Sequence, residues 1–201
     1  RDMYADVTRK LASVFRTEAT TLAFTSSGTG AMEASIVNFL SPGDRVITIN
    51  GGKFGERWTE LANAYGLTCH EIPLTWGDAP DPKQVHALLQ QHPDTKAVFT
   101  ELTETSTGTV FDIKALGEVV KNTDAILVVD AVSGVAADDI HVDDWNVDVC
   151  VAGSQKALMV PPGLSFLSVS EKAWELAENA TLPRYYFDIR KCKKSMAKGD
   201  T

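Results

Sequence analysis

The sequence predicts an α/β protein, a three-layer sandwich in which a seven-stranded, mostly parallel sheet carries helices on both faces. Three observations lead there. Short apolar runs of strand length alternate with stretches of helical periodicity along most of the chain, the pattern of strand–helix units wound around a parallel sheet. The runs are nearly uninterrupted, as strands buried on both faces must be. One connection, GSQKALMVPPG at 153–163, has no helical pattern and ends in Pro161-Pro162-Gly163. A parallel return needs a crossover of about a dozen residues or more, usually helical. The strand after this connection, the seventh, is therefore expected to run antiparallel to its neighbour.

The elements follow in order. Residues 2–15 read as a helix with Met3, Val7, Leu11, Val14 and Phe15 on one face. A strand at about 21–25 runs into Ser26-Ser27-Gly28-Thr29-Gly30-Ala31, which opens a helix over 29–40. The strand at 45–50 is followed by glycines and a helix over 53–65, and a further strand is expected at 67–72. The helix over 82–91 has a clear start: Asp81 can cap it and Pro82 fits its first turn. Strands at 96–101 and 125–130 flank a helix at 112–121, and strands at 148–152 and 164–169 flank the helix-free connection. A helix at 171–179 closes the pattern. From Arg184 the chain turns basic, with Arg190, Lys191, Lys193, Lys194 and Lys198, which reads as a solvated helix face.

Composition bounds the function. With 201 residues, 44% hydrophobic and 23% charged, the chain is of ordinary globular make-up and is neither a disordered tail nor a fibre. A net charge of −8 argues against nucleic acid as a partner. No stretch approaches the ~20 apolar residues of a membrane span, and no secretory signal is expected. Cys69, Cys150 and Cys192 lack zinc-ligand spacing and read as reduced thiols of a cytoplasmic protein. His70, His86, His92 and His141 show no metal spacing either, so no metal site is expected. Asp138, Asp139, Asp143, Asp144 and Asp148 do not match a calcium-binding loop and read as a solvated acidic loop. The four tryptophans read as packing residues. The chain starts at Arg1-Asp2, inside a helical pattern, so it is expected to be part of a longer protein.

In open α/β sheets, ligands bind beyond the carboxyl ends of the strands. Those ends carry the chemistry. SSGTGA at 26–31 is either a tight turn or a phosphate cradle, in which the first N–H groups of a helix point at an anion. It is neither a Walker A loop nor a full dinucleotide fingerprint, since position 33 is Glu. Phe54, set among glycines, is core or a ring stacked on a flat ligand. Asp130 caps the next turn or faces a cation in the site. Lys156 is an exposed lysine or an amine nucleophile, activated by a lowered pKa in a partly desolvated site. Pyridoxal 5'-phosphate calls for this whole set, with its phosphate, aldehyde, flat ring and a ring nitrogen that must stay protonated.

SSGTGAMEA at 26–34, NGGKFGERW at 50–58, ETSTG at 104–108, VVDAVS at 128–133 and AGSQKALMVPPG at 152–163 resemble class V, fold-type I pyridoxal-phosphate aminotransferases. The nearest likeness is to the alanine–glyoxylate and serine–glyoxylate (serine–pyruvate) group. The resemblance implies that Lys156 forms the Schiff base and acts as general acid and base. It implies that Asp130 pairs with the ring nitrogen, that Val132 packs under the ring, and that Phe54 stands where relatives often have a stacking Trp. Ser106 would lie near the ring, and Thr29, Gly30, Ala31 and Gln155 would contact the phosphate. Residues 1–183 would form the cofactor-binding large domain. Residues 184–201 would begin the connection to a small domain that holds an arginine for the substrate carboxylate. The resemblance further implies a homodimer with a shared active site, moving an amino group between serine or alanine and glyoxylate or pyruvate. Two alternatives are a lyase or cysteine desulfurase of the same class, and a truncated, non-catalytic cofactor-binding domain.

Overall fold

The computed structural model describes residues 2–198. Helix α1 (Asp2–Phe15) leads into β1 (Thr20–Phe24), α2 (Gly28–Val37), β2 (Arg45–Asn50), α3 (Lys53–Ala64), β3 (Thr68–Pro73) and α4 (Pro82–Gln91). Then follow β4 (Ala97–Glu101), a pair of two-residue strands β5 (Thr103–Glu104) and β6 (Thr109–Val110), α5 (Ile113–Val120) and β7 (Ile126–Asp130). The chain continues through β8 (Val149–Gly153), β9 (Ser165–Val169), α6 (Glu171–Asn179) and α7 (Ile189–Lys198). Seven strands form one sheet in the order β1-β9-β8-β7-β4-β2-β3. Strand β9 runs antiparallel to both its neighbours, β8 and β1, and the remaining pairs are parallel. The reversal expected from the helix-free 153–163 connection is therefore present.

The strands are buried on both faces, and their residues alternate between two cores. Ala97, Phe99, Ile126, Val128, Val149 and Val151 pack with Met32, Trp58 and Trp174, under α2, α3 and α6. Val98, Leu127, Val129, Cys150 and Ala152 pack with Phe15, Val85 and Leu116, under α1, α4 and α5. Period-two alternation places successive side chains on opposite faces, and the three layers follow. Helix starts match their caps. Asp81 accepts the Lys83 N–H at 2.9 Å, with Pro82 in the first turn. Asp112 and Ser170 cap α5 and α6 in the same way.

Four expectations are corrected. The apolar stripe of α1 is only half used: Leu11 and Phe15 are buried, but Met3 is 80% exposed. The acidic segment is not simply solvated. Asp148 is buried and accepts the Leu127 N–H at 2.9 Å and the Ser170 hydroxyl at 2.7 Å, while Asp143 accepts the Glu18 N–H at 2.8 Å. These carboxylates tie irregular chain to strand and helix ends, whose backbone donors need partners. Trp76 is exposed and does not pack in a core, unlike Trp58 and Trp174. Finally, the segment after β4 closes a small hairpin, β5–β6, where only a loop was expected. The basic segment beyond Arg184 does form a helix. Its Lys193 ammonium lies 4.1 Å from the ring centre of Trp174, so α7 docks on α6.

Gly117 in α5 has a packing reason. A Cβ there would collide with the backbone carbonyl of Trp145. Gly117→Ala should therefore lower stability by about 1–3 kcal/mol through overpacking, although alanine is the better helix former. A urea midpoint that stays put or rises would show that the 143–146 turn yields freely.

Candidate active site

The carboxyl ends of the parallel strands border one cleft of about 510 Å³. Helix α2 opens it from one side. Ser27 is the N-cap in extended conformation, and its carbonyl accepts the N–H groups of Gly30 and Ala31. Gly28 and Thr29, one step earlier, line the cleft. The first N–H groups of a helix have no intrahelical acceptor and carry the positive end of its dipole. A Cβ at Gly28 would stand 2.7 Å from the Val132 side chain, which would have to shift to admit it. Among the residues expected at a phosphate, Thr29 and Gln155 border the cleft. Gly30 and Ala31 lie behind the rim, buried against the turn that Ser27 closes.

Helix α3 brings Phe54 and Arg57 to the cleft, one turn apart on the same helical face. The Arg57 guanidinium lies 5.0 Å from the centre of the Phe54 ring, and its Nη1 is 3.3 Å from the Thr29 hydroxyl. Phe54 is held from behind by Glu104. One carboxylate oxygen accepts the N–H groups of Phe54 and Gly55 at 3.1 and 3.0 Å. The other accepts the N–H and hydroxyl of Ser106 at 2.9 and 2.6 Å. A carboxylate on the N-terminal N–H groups of a helix is well placed for the dipole. Ser106 also accepts the Lys53 N–H at 3.0 Å. It ties α3 to the hairpin and does not border the cleft. Thr103 and Thr105 border it instead, and the Thr105 hydroxyl donates to Ser133 at 2.7 Å.

Asp130 ends β7 and faces the cleft, 6% exposed. Its Oδ1 accepts the Val132 N–H at 2.8 Å. Burial pushes its carboxyl up to about 6, against the opposing pull of the Val132 N–H, Arg57 and Lys156. Gln155 and Lys156 follow β8. Ser154 pins their loop: its hydroxyl donates to the Pro161 carbonyl at 2.7 Å, and its N–H to the Leu164 carbonyl at 3.0 Å. The Lys156 carbonyl accepts the Met159 N–H at 2.9 Å. Thr29, Phe54, Asp130, Val132, Gln155 and Lys156, from segments scattered along the chain, thus share one cleft. Arg57, Thr103, Thr105 and Ser133 were missed in the sequence. The signal available for Arg57 was its spacing of three from Phe54.

The raised carboxyl of Asp130 has a consequence for stability. In the folded protein, Asp130 holds its proton to higher pH than in the unfolded chain. Its contribution is fully present below the ordinary value of 3.8 and is lost as pH rises through about 6. Asp130→Asn should therefore stabilise the chain by on the order of 3 kcal/mol at pH 7.5, and by little at pH 4. Urea unfolding across this range checks it. A difference that stays flat with pH contradicts the assignment.

Among the described residues, no group of three or more His, Cys, Asp and Glu side chains gathers as a metal site, and no helix is long and apolar enough to cross a membrane. Comparison with known proteins places these features in context. The chain is 45% identical to the soluble hydrogenase small subunit of Synechococcus sp., over 98% of this chain and 52% of that protein. It is 38% identical to L-aspartate–glyoxylate aminotransferase of Paracoccus denitrificans, over 87% of this chain and 45% of that protein. Among solved structures, alanine–glyoxylate aminotransferase from Nostoc sp. superposes with a TM-score of 0.91 at 30% identity, covering 95% of this chain and 51% of that one. The chain spans about half the length of the curated relatives it matches. Residues 1–184, which carry the sheet and the cleft at its strand ends, match the family described as Aminotransferase class-V, and this chain belongs to that family.

Proposed function

We propose that the chain is the cofactor-binding part of an aminotransferase that uses pyridoxal 5'-phosphate to move an amino group between a small amino acid, serine or alanine, and glyoxylate or pyruvate. The observation that carries this reading is the convergence of Lys156, Asp130, Phe54 and the α2 N-terminus on a single cleft. The residues fit the group. A buried carboxyl at the end of β7 suits a cationic ring nitrogen, Phe54 and Val132 supply apolar walls, and the first turn of α2 suits a phosphate.

Each residue then has a task. The N–H groups of Gly28 and Thr29, the Thr29 hydroxyl and Gln155 would hold the phosphate, with Arg57 adding positive charge. Phe54 and Val132 would keep water from the ring faces. Asp130 would hold a proton on the ring nitrogen, since a nearby carboxylate favours the charged form. When bound, the cofactor supplies an aldehyde carbon and an electron sink. Lys156 would hold that carbon through Nζ, and its amine would be the base for the proton of the substrate α-carbon. Thr105 and Ser133 would orient groups at the ring edge.

The working enzyme is read as a cytoplasmic homodimer in which the second subunit completes the site. Met159 is 90% exposed beside the lysine loop, and Val160, Leu164, Tyr185 and Tyr186 are exposed as well. Apolar surface of this kind at a site mouth suits a partner. Residues 1–183 are the large domain, and 184–201 lead to a small domain. The desulfurase alternative needs a mobile cysteine. Cys150 lies fully buried in β8, and burial with the nearby Asp130 pushes its thiol up, so it is no such nucleophile.

The test is an amino-transfer assay on the full-length protein with serine, alanine and aspartate as donors and glyoxylate and pyruvate as acceptors. Turnover with a small donor and glyoxylate or pyruvate is expected. A protein that binds the cofactor but transfers between none of these pairs contradicts the reading.

A further inference from the structure

Glu101 is fully buried, and among the described residues neither of its carboxyl oxygens has a hydrogen-bond partner. It closes β4 directly opposite Asp130 of β7 in the parallel ladder. Register partners share a face of the sheet, and neighbouring strands lie about 4.8 Å apart. Two positions earlier in each strand, Phe99 and Val128 lie in the core beneath α2 and α3, so Glu101 and Asp130 share the face on which the cleft opens. The charged groups around the pair are unevenly placed. Arg57 of α3 and Lys156 of the loop after β8 act favourably on an ionised Asp130. The charges near Glu101 are like ones, Asp130 and Glu104, and burial together with these outweighs the pull of its own backbone N–H and holds its carboxyl well above the ordinary range. Cys150 of β8 is the remaining titratable neighbour, its thiol pushed up by burial and by Asp130.

Two adjacent buried carboxylates do not both ionise when only one has cations to face. A carboxyl that keeps its proton carries an O–H, and buried donors are rarely left without an acceptor. On Asp130, Oδ1 already accepts the Val132 N–H, while Oδ2 has no protein donor among the described residues. We propose that Glu101 is a positioning acid for Asp130: it keeps its proton while Asp130 is ionised and donates its O–H to the Asp130 carboxylate, so that the pair presents one negative charge to the cleft. For function, this rests on the reading of Asp130 as the partner of a cationic ring. The donated hydrogen bond fixes the orientation of Asp130 and favours its charged form, without adding a second charge that would have to be neutralised.

The sign of the effect separates this from its alternatives. A neutral donor at 101 lowers the pH at which Asp130 ionises, and an ionised neighbour raises it. The measurement uses full-length protein freed of cofactor, with 13C at the aspartate carboxyl carbons. The Asp130 signal is assigned by its loss in Asp130→Asn. Glu101→Met, which removes the donor at similar volume, should raise the Asp130 midpoint by about one pH unit. Glu101→Gln keeps a neutral N–H donor and should leave the midpoint in place. Any other pattern overturns the proposal: a fall in both variants means that Glu101 is ionised and repels Asp130, and no movement in either means that it does not act on Asp130. Should Glu101→Met fail to fold, 13C at the glutamate carboxyls of the unsubstituted protein decides. A Glu101 signal that stays neutral throughout the Asp130 titration supports the proposal, and one that ionises first overturns it. Because no cofactor is present, the result is independent of the amino-transfer assay.

Discussion

Lys156→Ala is expected to lower turnover by roughly 10⁴-fold, the upper end of what a positioned acid–base group contributes. In the proposed function one amine would have two tasks, holding the cofactor carbon and moving the substrate proton, which makes the expected effect large. The lysine loop is fixed by Ser154, whose hydroxyl donates to the Pro161 carbonyl at 2.7 Å, and by the Met159 N–H on the Lys156 carbonyl at 2.9 Å. Lys156 is accordingly presented from a stiff turn, and positioning of this kind is a large part of catalysis. The variant should still retain some cofactor, because Thr29, Gln155, Phe54 and Asp130 are untouched. Single-turnover assays with bound cofactor separate the two effects. Near-normal turnover in Lys156→Ala would remove the basis of the mechanism.

Asp130→Asn is expected to cut turnover by about 3–5 kcal/mol, the usual cost of breaking a buried ion pair. At about 1.36 kcal/mol per decade, this is roughly two to four decades in rate. The cofactor should remain bound but react poorly, because an amide does not hold the proton on the ring nitrogen. The same variant is expected to be more stable than the unsubstituted protein when both lack cofactor, since burial outweighs the Val132 N–H, Arg57 and Lys156 and pushes the Asp130 carboxyl up to about 6. Opposite signs for stability and rate in one substitution mark a group kept for function. A variant that loses both, or neither, would point to a structural carboxyl.

The parallel strands were legible because strands buried on both faces are written as apolar runs, such as 126–130 and 149–153. The reversal of β9 was legible because its connection is short. The connection from β7 to the parallel β8 is also without a helix, but it is longer and buries Val135, Ile140 and Val142 as it crosses. The hairpin β5–β6 was not legible, because strands of two residues carry no periodicity. In the cleft, Lys156, Asp130, Phe54 and Thr29 could be read because each follows a strand end. Which neighbour of a reactive position faces the ligand could not. Thr105 and Ser106 are adjacent hydroxyls, and the Glu104 carboxylate decides between them by taking Ser106 into the α3 cap. Gly30 and Ala31 lie behind the rim because the direction of α2 from Ser27 sets which N–H groups remain free. Arg57 carries no distinguishing sequence signal beyond its spacing from Phe54, and the helical turn places it over that ring. Glu101 falls at the end of the strand expected at 96–101, and only the ladder shows it opposite Asp130.

The reading of the cleft depends most on which amine meets the cofactor. Borohydride reduction of the full-length protein with bound pyridoxal 5'-phosphate, followed by digestion and peptide sequencing, should find the cofactor fixed on the peptide that contains Lys156 and on no other. The nearest rival in sequence terms is Lys53 at the start of α3, whose ammonium is 2.5 Å from Glu56 on the exposed side of that helix. Label on Lys53, or label spread over several lysines with none on Lys156, would contradict the account.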